Sequence, residues 1–135
     1  PFLPIFGNGK SLMQPIYVKD LAWSIVEIID NKNTFKKEFN LSGKSPISFL
    51  ELIKITSKAL KKNILIIHFP LKITIFIFKV LEKVNIILPI KSEQIMRLNE
   101  NKNFDHSKAS EAFNFKPISF EAGIKRQIKN LHKNF

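Results

Sequence analysis

The sequence has no cysteine. That excludes a disulfide framework and a thiolate metal site, and it fits a cytosolic, cytoplasmic protein. Arginine is nearly missing as well. Of 22 basic residues only Arg97 and Arg126 are arginine, against 11 acids, for a net charge of +11. Such a charge attracts nucleic acid or an anionic membrane. Base readout and phosphate forks favour arginine, however, and the lysines are spread along the whole chain. Lysine, asparagine, isoleucine and phenylalanine are over-used together, which points to an A/T-rich genome writing its surface in lysine. No nucleic-acid partner is expected. No Gly-x-Ser-x-Gly elbow exists, and His68, His106 and His132 share no metal-ligand spacing. No carboxylates are spaced as an acid–base pair, so no catalytic or metal-binding residue is assigned. A long uninterrupted apolar run is lacking too. Residues 71–84 are apolar almost all round, but Lys72, Lys79, Glu82 and Lys83 break the ~20 residues that a membrane span needs. No transmembrane segment is expected.

What is present suffices for one core. The chain has 135 residues, 44% of them hydrophobic, so residues 1–135 are read as one domain or part of one. It opens on Pro1-Phe2-Leu3-Pro4 without an initiator methionine, as a piece of a longer protein would.

The stretch FGNGKSLMQPIYVKDLA, Phe6 to Ala22, contains Gly9-Lys10-Ser11 and invites comparison with a P-loop. That loop needs a glycine five residues ahead of the triplet, where Pro4 stands, and a helix opening at the lysine. Here Pro15 and the β-formers Ile16-Tyr17-Val18 follow. Asn8-Gly9 is instead a strong hairpin signal. The expectation is two extended arms, Pro4–Phe6 and Leu12–Val18, around a turn with Gly9 at positive φ.

Apolar periodicity predicts a helix over Lys19–Asp30, with Leu21, Ala22, Ile25, Val26 and Ile29 on one face. Asp20 reads as an acid placed in its first turn by the helix dipole. A polar loop (Asn31–Lys37) and a short strand (Glu38–Leu41) follow. Ser48 and Glu51 form a capping box ahead of a helix with Leu52, Ile53, Thr56, Ala59 and Leu60 on one face. A β-run over Asn63–Phe69 ends at Pro70, which suits the first turn of a helix over Leu71–Val84. Ser92 is expected to cap a helix with Ile95, Met96 and Leu98 facing inward. Asp105 caps a short helical turn. Ser119 caps a last helix with Ile124, Ile128 and Leu131 as its stripe. Four or five helices and a few short strands result.

Five pieces carry a resemblance: LPIFGNGK, QPIYVKDLA, FNLSGKSPISFLEL, LPIKSEQIMRL and FDHSKASEAFNFKPISFEAGI. In this order and spacing they resemble the C-terminal, substrate-binding part of extended short-chain dehydrogenase/reductases, the NAD-dependent nucleotide-sugar epimerase/dehydratase family. The resemblance covers residues 1 to about 131. It implies an α/β fold, mostly helical with a few short strands, taken from a Rossmann-type enzyme. It implies that Pro4, Ile5 and Phe6 line the pocket for the substrate's nucleotide, with Gln14 beside them in the second arm and Arg97 near the diphosphate. The family's cofactor half carries a glycine-rich turn and a Tyr-x-x-x-Lys pair. Neither is in this sequence; Leu21 stands four residues after Tyr17, the only tyrosine. NAD(P) is thus implied for the full-length protein and no cofactor for this chain, which by itself should be inactive. Sugar-diphosphate members often have an arginine where this chain has Met13, and a related subgroup carries Gln-Pro there and acts on other substrates.

Two readings follow. In the first, the chain is the substrate-binding part of an NAD(P)-dependent nucleotide-sugar epimerase/dehydratase-like protein, its partners a nucleotide-sugar-like small molecule and the missing Rossmann half. Apolar surface around Phe2–Phe6 and Ile73–Phe78 would pack on that half and otherwise drive self-association. In the second, it is a basic interaction module docking the Leu71–Val84 helix on a membrane surface or a protein partner.

Overall fold

The computed structural model describes residues 2–86 and 89–133, the side chains of 132 and 133 excepted. Pro1, Leu88 at the head of LPIKSEQIMRL and the His132 side chain lie outside the described residues. Among these residues the order is β1 (Phe2–Phe6), β2 (Leu12–Met13), α1 (Val18–Ile28), β3 (Ile47–Ser48), α2 (Phe49–Ala59), β4 (Leu65–Phe69), α3 (Leu71–Lys83), α4 (Ser92–Leu98), α5 (Ser107–Phe113) and α6 (Phe120–Lys133). This is the mostly helical α/β arrangement expected, with six α-helices where four or five were expected.

The hairpin does not form. β1 pairs in parallel with β4, Phe2 opposite Leu65 and Phe6 opposite Phe69, while β2 pairs antiparallel with β3. A type I′ turn needs positive φ at both central residues. Gly9 has it (φ +66°), as does Gly7 (+100°), but Asn8 does not. Its Oδ1 instead accepts from the Lys10 amide at 2.9 Å, reversing the chain locally. The second arm, interrupted by Pro15, offers only two strand residues, whereas β4 offers β1 a full five. A longer ladder satisfies more backbone groups, so the non-local pairing wins.

Other local signals hold with small shifts. Ser48 Oγ accepts from the Glu51 amide at 3.2 Å, the forward half of the capping box. Ser119 Oγ accepts from the Ala122 amide at 3.3 Å. The N-cap of α5 is His106, not Asp105, which stands one residue earlier and accepts from the Ser107 amide at 3.0 Å. Pro70 sits at the N-cap of α3, one position before the first turn. Ser92 is not a cap: it is the first residue of α4, and the Glu82 carboxylate of α3 accepts from its amide at 2.6 Å and its hydroxyl at 2.9 Å. Glu38–Leu41 forms no strand; Phe39 and Leu41 pack their side chains on the core instead.

One core cluster is Ala109, Phe113 and Phe115, with Ile16, Phe39 and Leu41 packed around it. Burying Phe115 completely contributes about 1.5–3 kcal/mol. Ile5, Ile53 and Ile95 are buried elsewhere, whereas Met96 and Leu131, expected inside, are exposed. The apolar face of α1 exists as predicted yet is uncovered: Leu21, Ile25, Val26 and Ile29 are all exposed, Val26 by 64%. No helix among the described residues is long and apolar enough to cross a membrane.

Candidate functional site at the strand ends

β1 and β4 run side by side and end together at Phe6 and Phe69. In parallel sheets the crevice beyond the carboxyl ends of the strands is where ligands bind. There the chain turns sharply. The Gly7 amide donates to the Phe69 carbonyl at 2.8 Å, and His68 Nδ1 lies 3.1 Å from the Gly7 carbonyl. A carbonyl only accepts, so Nδ1 carries the proton in this bond. An open depression of about 520 Å³ lies here, lined by Gly7, Asn8, His68, Phe69, Pro70 and Leu71. The Phe6 ring lies 6.1 Å between centroids from both Phe69 and Phe78.

The following loop is clamped by the end of α4 and the segment after it. Ser11 Oγ donates to the Leu98 carbonyl at 2.8 Å. The Leu12 amide donates to Asn101 Oδ1 at 2.9 Å, and the Lys102 amide donates to the Leu12 carbonyl at 2.7 Å. A Cβ added to Gly7 would strike the Asn99 carboxamide. The carboxyl end of α4 therefore lies against the turn.

The residues named from the sequence fall into three situations. Pro4, Ile5 and Phe6 lie on β1 ahead of the depression, and none of the three lines it. Pro4 is exposed, Phe6 half-buried, and Ile5 only 1% exposed, so Ile5 can offer a ligand its backbone alone. Arg97 is on the neighbouring α4, exposed and paired with Glu93 at 2.7 Å. Gln14 is elsewhere, with both ends of its amide engaged: Nε2 donates to the Gly43 carbonyl and Oε1 accepts from the Phe104 amide, each at 2.8 Å. His68 and Asn8 were not singled out by sequence reasoning. Their signal was invisible there, because it arises from a pairing between β1 and β4, which the chain's local pattern does not specify.

Three carboxylates are held below their ordinary range. Glu82 is lowered first by the Ser92 N–H and then by the Ser92 hydroxyl. Asp105 is lowered by the hydroxyl and then the amide of Ser107, and Glu121 by its bond to Lys125. All three serve helix ends or helix surfaces. Among the described residues no group of three or more His, Asp or Glu could hold a metal ion.

No family model and no curated protein matches this sequence. Solved structures do match its fold. Over 98% of this chain it is similar to UDP-glucuronic acid 4-epimerase from Bacillus cereus, crystallised with UDP-glucuronic acid and NAD (20% identity, TM-score 0.65, 36% of that chain). It is likewise similar to dTDP-glucose 4,6-dehydratase from Bacillus anthracis in complex with NAD (16% identity, TM-score 0.63, 98% of this chain and 34% of that one). A third is L-threonine 3-dehydrogenase from Trypanosoma brucei (14% identity, TM-score 0.63, 98% and 37%). The chain thus spans about a third of the length of these structures. The fold is that of a portion of Rossmann-type epimerases and dehydratases, as the sequence resemblance implied.

Proposed function

We propose that this chain is the substrate-binding part of an NAD(P)-dependent nucleotide-sugar epimerase/dehydratase-like protein. The reading is carried by one observation: nearly the whole chain follows the fold of such enzymes, with an open site at the carboxyl ends of a parallel strand pair. The dinucleotide would supply hydride chemistry from a Rossmann half whose fingerprint these 135 residues lack. This chain's residues would bind and orient. Pro4 and Phe6 offer apolar contact to a base, and the β1 backbone offers hydrogen bonds to its edge. The apolar surface around Phe2–Phe6 and the uncovered face of α1 would meet the cofactor half. The lack of cysteine fits a cytoplasmic setting.

Arg97 is the cation for the phosphates. It is already tied to Glu93, but an exposed ion pair one helical turn apart is worth only about 0.3–0.5 kcal/mol. A diphosphate making a charge-assisted bond of about 1.5–3 kcal/mol outcompetes it. A smaller, less charged substrate is the second reading, favoured by Met13 where a diphosphate-binding arginine would help; the neighbour from Trypanosoma brucei is named for an amino acid.

The test is calorimetric titration of the full-length protein with UDP, dTDP and GDP. Binding of one of them, weakened about tenfold or more by Arg97→Ala and also by Phe6→Ala, supports the nucleotide-sugar reading. No binding of any, with Arg97→Ala neutral towards turnover of a small hydroxy or amino acid, turns the assignment to the second.

A further inference from the structure

Two apolar helix faces are uncovered, and the charges of the two helices differ. α1 carries one lysine and two acids, Lys19, Asp20 and Glu27. The face of α3 is bordered by cations. Ile73, Ile77, Val80 and Val84 recur at i, i+4, i+7 and i+11, the spacing of one helical stripe, and all four are exposed. Phe76 beside them is 69% exposed, although it is a large aromatic. Lys72, Lys79 and Lys83 recur at i, i+7 and i+11 and form the adjacent exposed stripe.

The one acid of α3 does not face this surface. Glu82 lies on the side that meets α4, where its carboxylate accepts both bonds from Ser92. Thr74, on the packed side, is buried and returns its hydroxyl to the Pro70 carbonyl. The outer surface of α3 is therefore apolar along one stripe and cationic along the next.

We infer that α3 is an in-plane membrane anchor, its Ile73–Val84 stripe seated in an anionic lipid surface with Lys72, Lys79 and Lys83 reaching the headgroups. A helix of 13 residues is too short to span a bilayer. An amphipathic helix with lysines beside an apolar stripe lies in the interface, the apolar side chains entering the acyl boundary. Lysine stems can cover apolar surface while their ammonium groups stay in the headgroup layer. The net charge of +11 adds long-range attraction towards anionic lipid. A symmetric second copy would need acids opposite the lysine stripe, and the exposed face of α3 supplies none; the lysine stripe also sets this face apart from the apolar surface around Phe2–Phe6 that the cofactor half would cover.

The probe is the full-length protein floated with vesicles of phosphatidylcholine alone or mixed with phosphatidylglycerol; binding by the 135-residue chain but not by the full-length protein would mean that the missing part covers α3 and would overturn the assignment. The full-length protein should bind the anionic vesicles, bind the neutral ones at least tenfold more weakly, and be released by high salt. Ile77→Glu should reduce anionic binding at least tenfold; Phe76→Ser reads the same face should Ile77→Glu lose its helical spectrum. Replacing Lys72, Lys79 and Lys83 by glutamine should weaken binding by about fivefold for each lysine. The same three-charge change at Lys32, Lys36 and Lys37 should cost much less. Equal losses from the two lysine sets would reduce the effect to net charge and overturn the assignment. So would unchanged binding by both face variants, or an oligomer that Ile77→Glu dissolves in a chain that ignores vesicles.

Discussion

The Asp20 carboxylate accepts a 2.8 Å hydrogen bond from the backbone amide of Ile118, 98 residues further along the chain. This joins the first turn of α1 to the segment that enters α6. The dipole of α1 favours an acid there, but the fold uses it as a long-range acceptor. A hydrogen bond to a charged group contributes about 1.5–3 kcal/mol. Asp20→Ala should destabilise the chain by about that amount in urea denaturation, and Asp20→Asn, which keeps an acceptor oxygen, by clearly less. Equal losses would mean the Ile118 bond is not what Asp20 provides.

Gln14 makes a different claim on the same method. Its amide donates to Gly43 and accepts from Phe104 at once. Glutamate has the same shape but no donor, and would place a carboxylate against the Gly43 carbonyl. Gln14→Glu should therefore cost about 1–3 kcal/mol at neutral pH, no less than Gln14→Ala. A neutral Gln14→Glu would release Gln14 from this role and strengthen its case as a ligand contact.

The acid limb of stability should report on Glu82. Ser92 holds its carboxyl below the ordinary glutamate value of 4.5. A carboxylate lowered on folding stabilises the fold above its ordinary value, and that contribution disappears as pH falls through the lower, folded value. Asp105 and Glu121 act with the same sign. Stability should thus decline as pH drops below about 4.5, and Glu82→Gln should make that decline shallower. Superimposable acid limbs for the two proteins would remove Glu82 from the account.

The turn beyond β1 should be intolerant of side chains in a defined order. Gly7 and Gly9 both have positive φ, where a Cβ costs about 1 kcal/mol or more. At Gly9 the added atom would meet Leu50 Cβ at 3.3 Å, whereas at Gly7 it would collide with Asn99. Gly7→Ala should be the worse of the two by thermal denaturation. Asn99→Ala should recover part of the loss at Gly7 and none at Gly9.

The bare face of α1 gives a prediction about association. Without the proposed cofactor half the chain should self-associate through Val26 and Ile29, because a patch of a few hundred Å² is not left open in a stable monomer. Val26→Glu should shift sedimentation towards monomer and leave vesicle binding by α3 intact. A monomer at high concentration before any substitution would remove α1 as an association face.

Local chemistry was legible from the chain itself. Ser48 and Ser119 act where their neighbours predict, because a cap needs only a side-chain oxygen and an amide three residues away. The helices α1, α2 and α3 follow from apolar spacing for the same reason. The absence of cysteine and of a glycine-rich cofactor turn was equally plain. Tertiary structure decided the rest. The Asn8-Gly9 hairpin signal yielded to β1–β4 pairing, since a parallel pair depends on what an intervening crossover brings alongside, not on the turn next to it. That pairing placed His68 by Gly7 and made the site. The faces of α1 and α3 stayed uncovered. Periodicity shows that a helix has an apolar face; only the packed chain shows whether anything covers it.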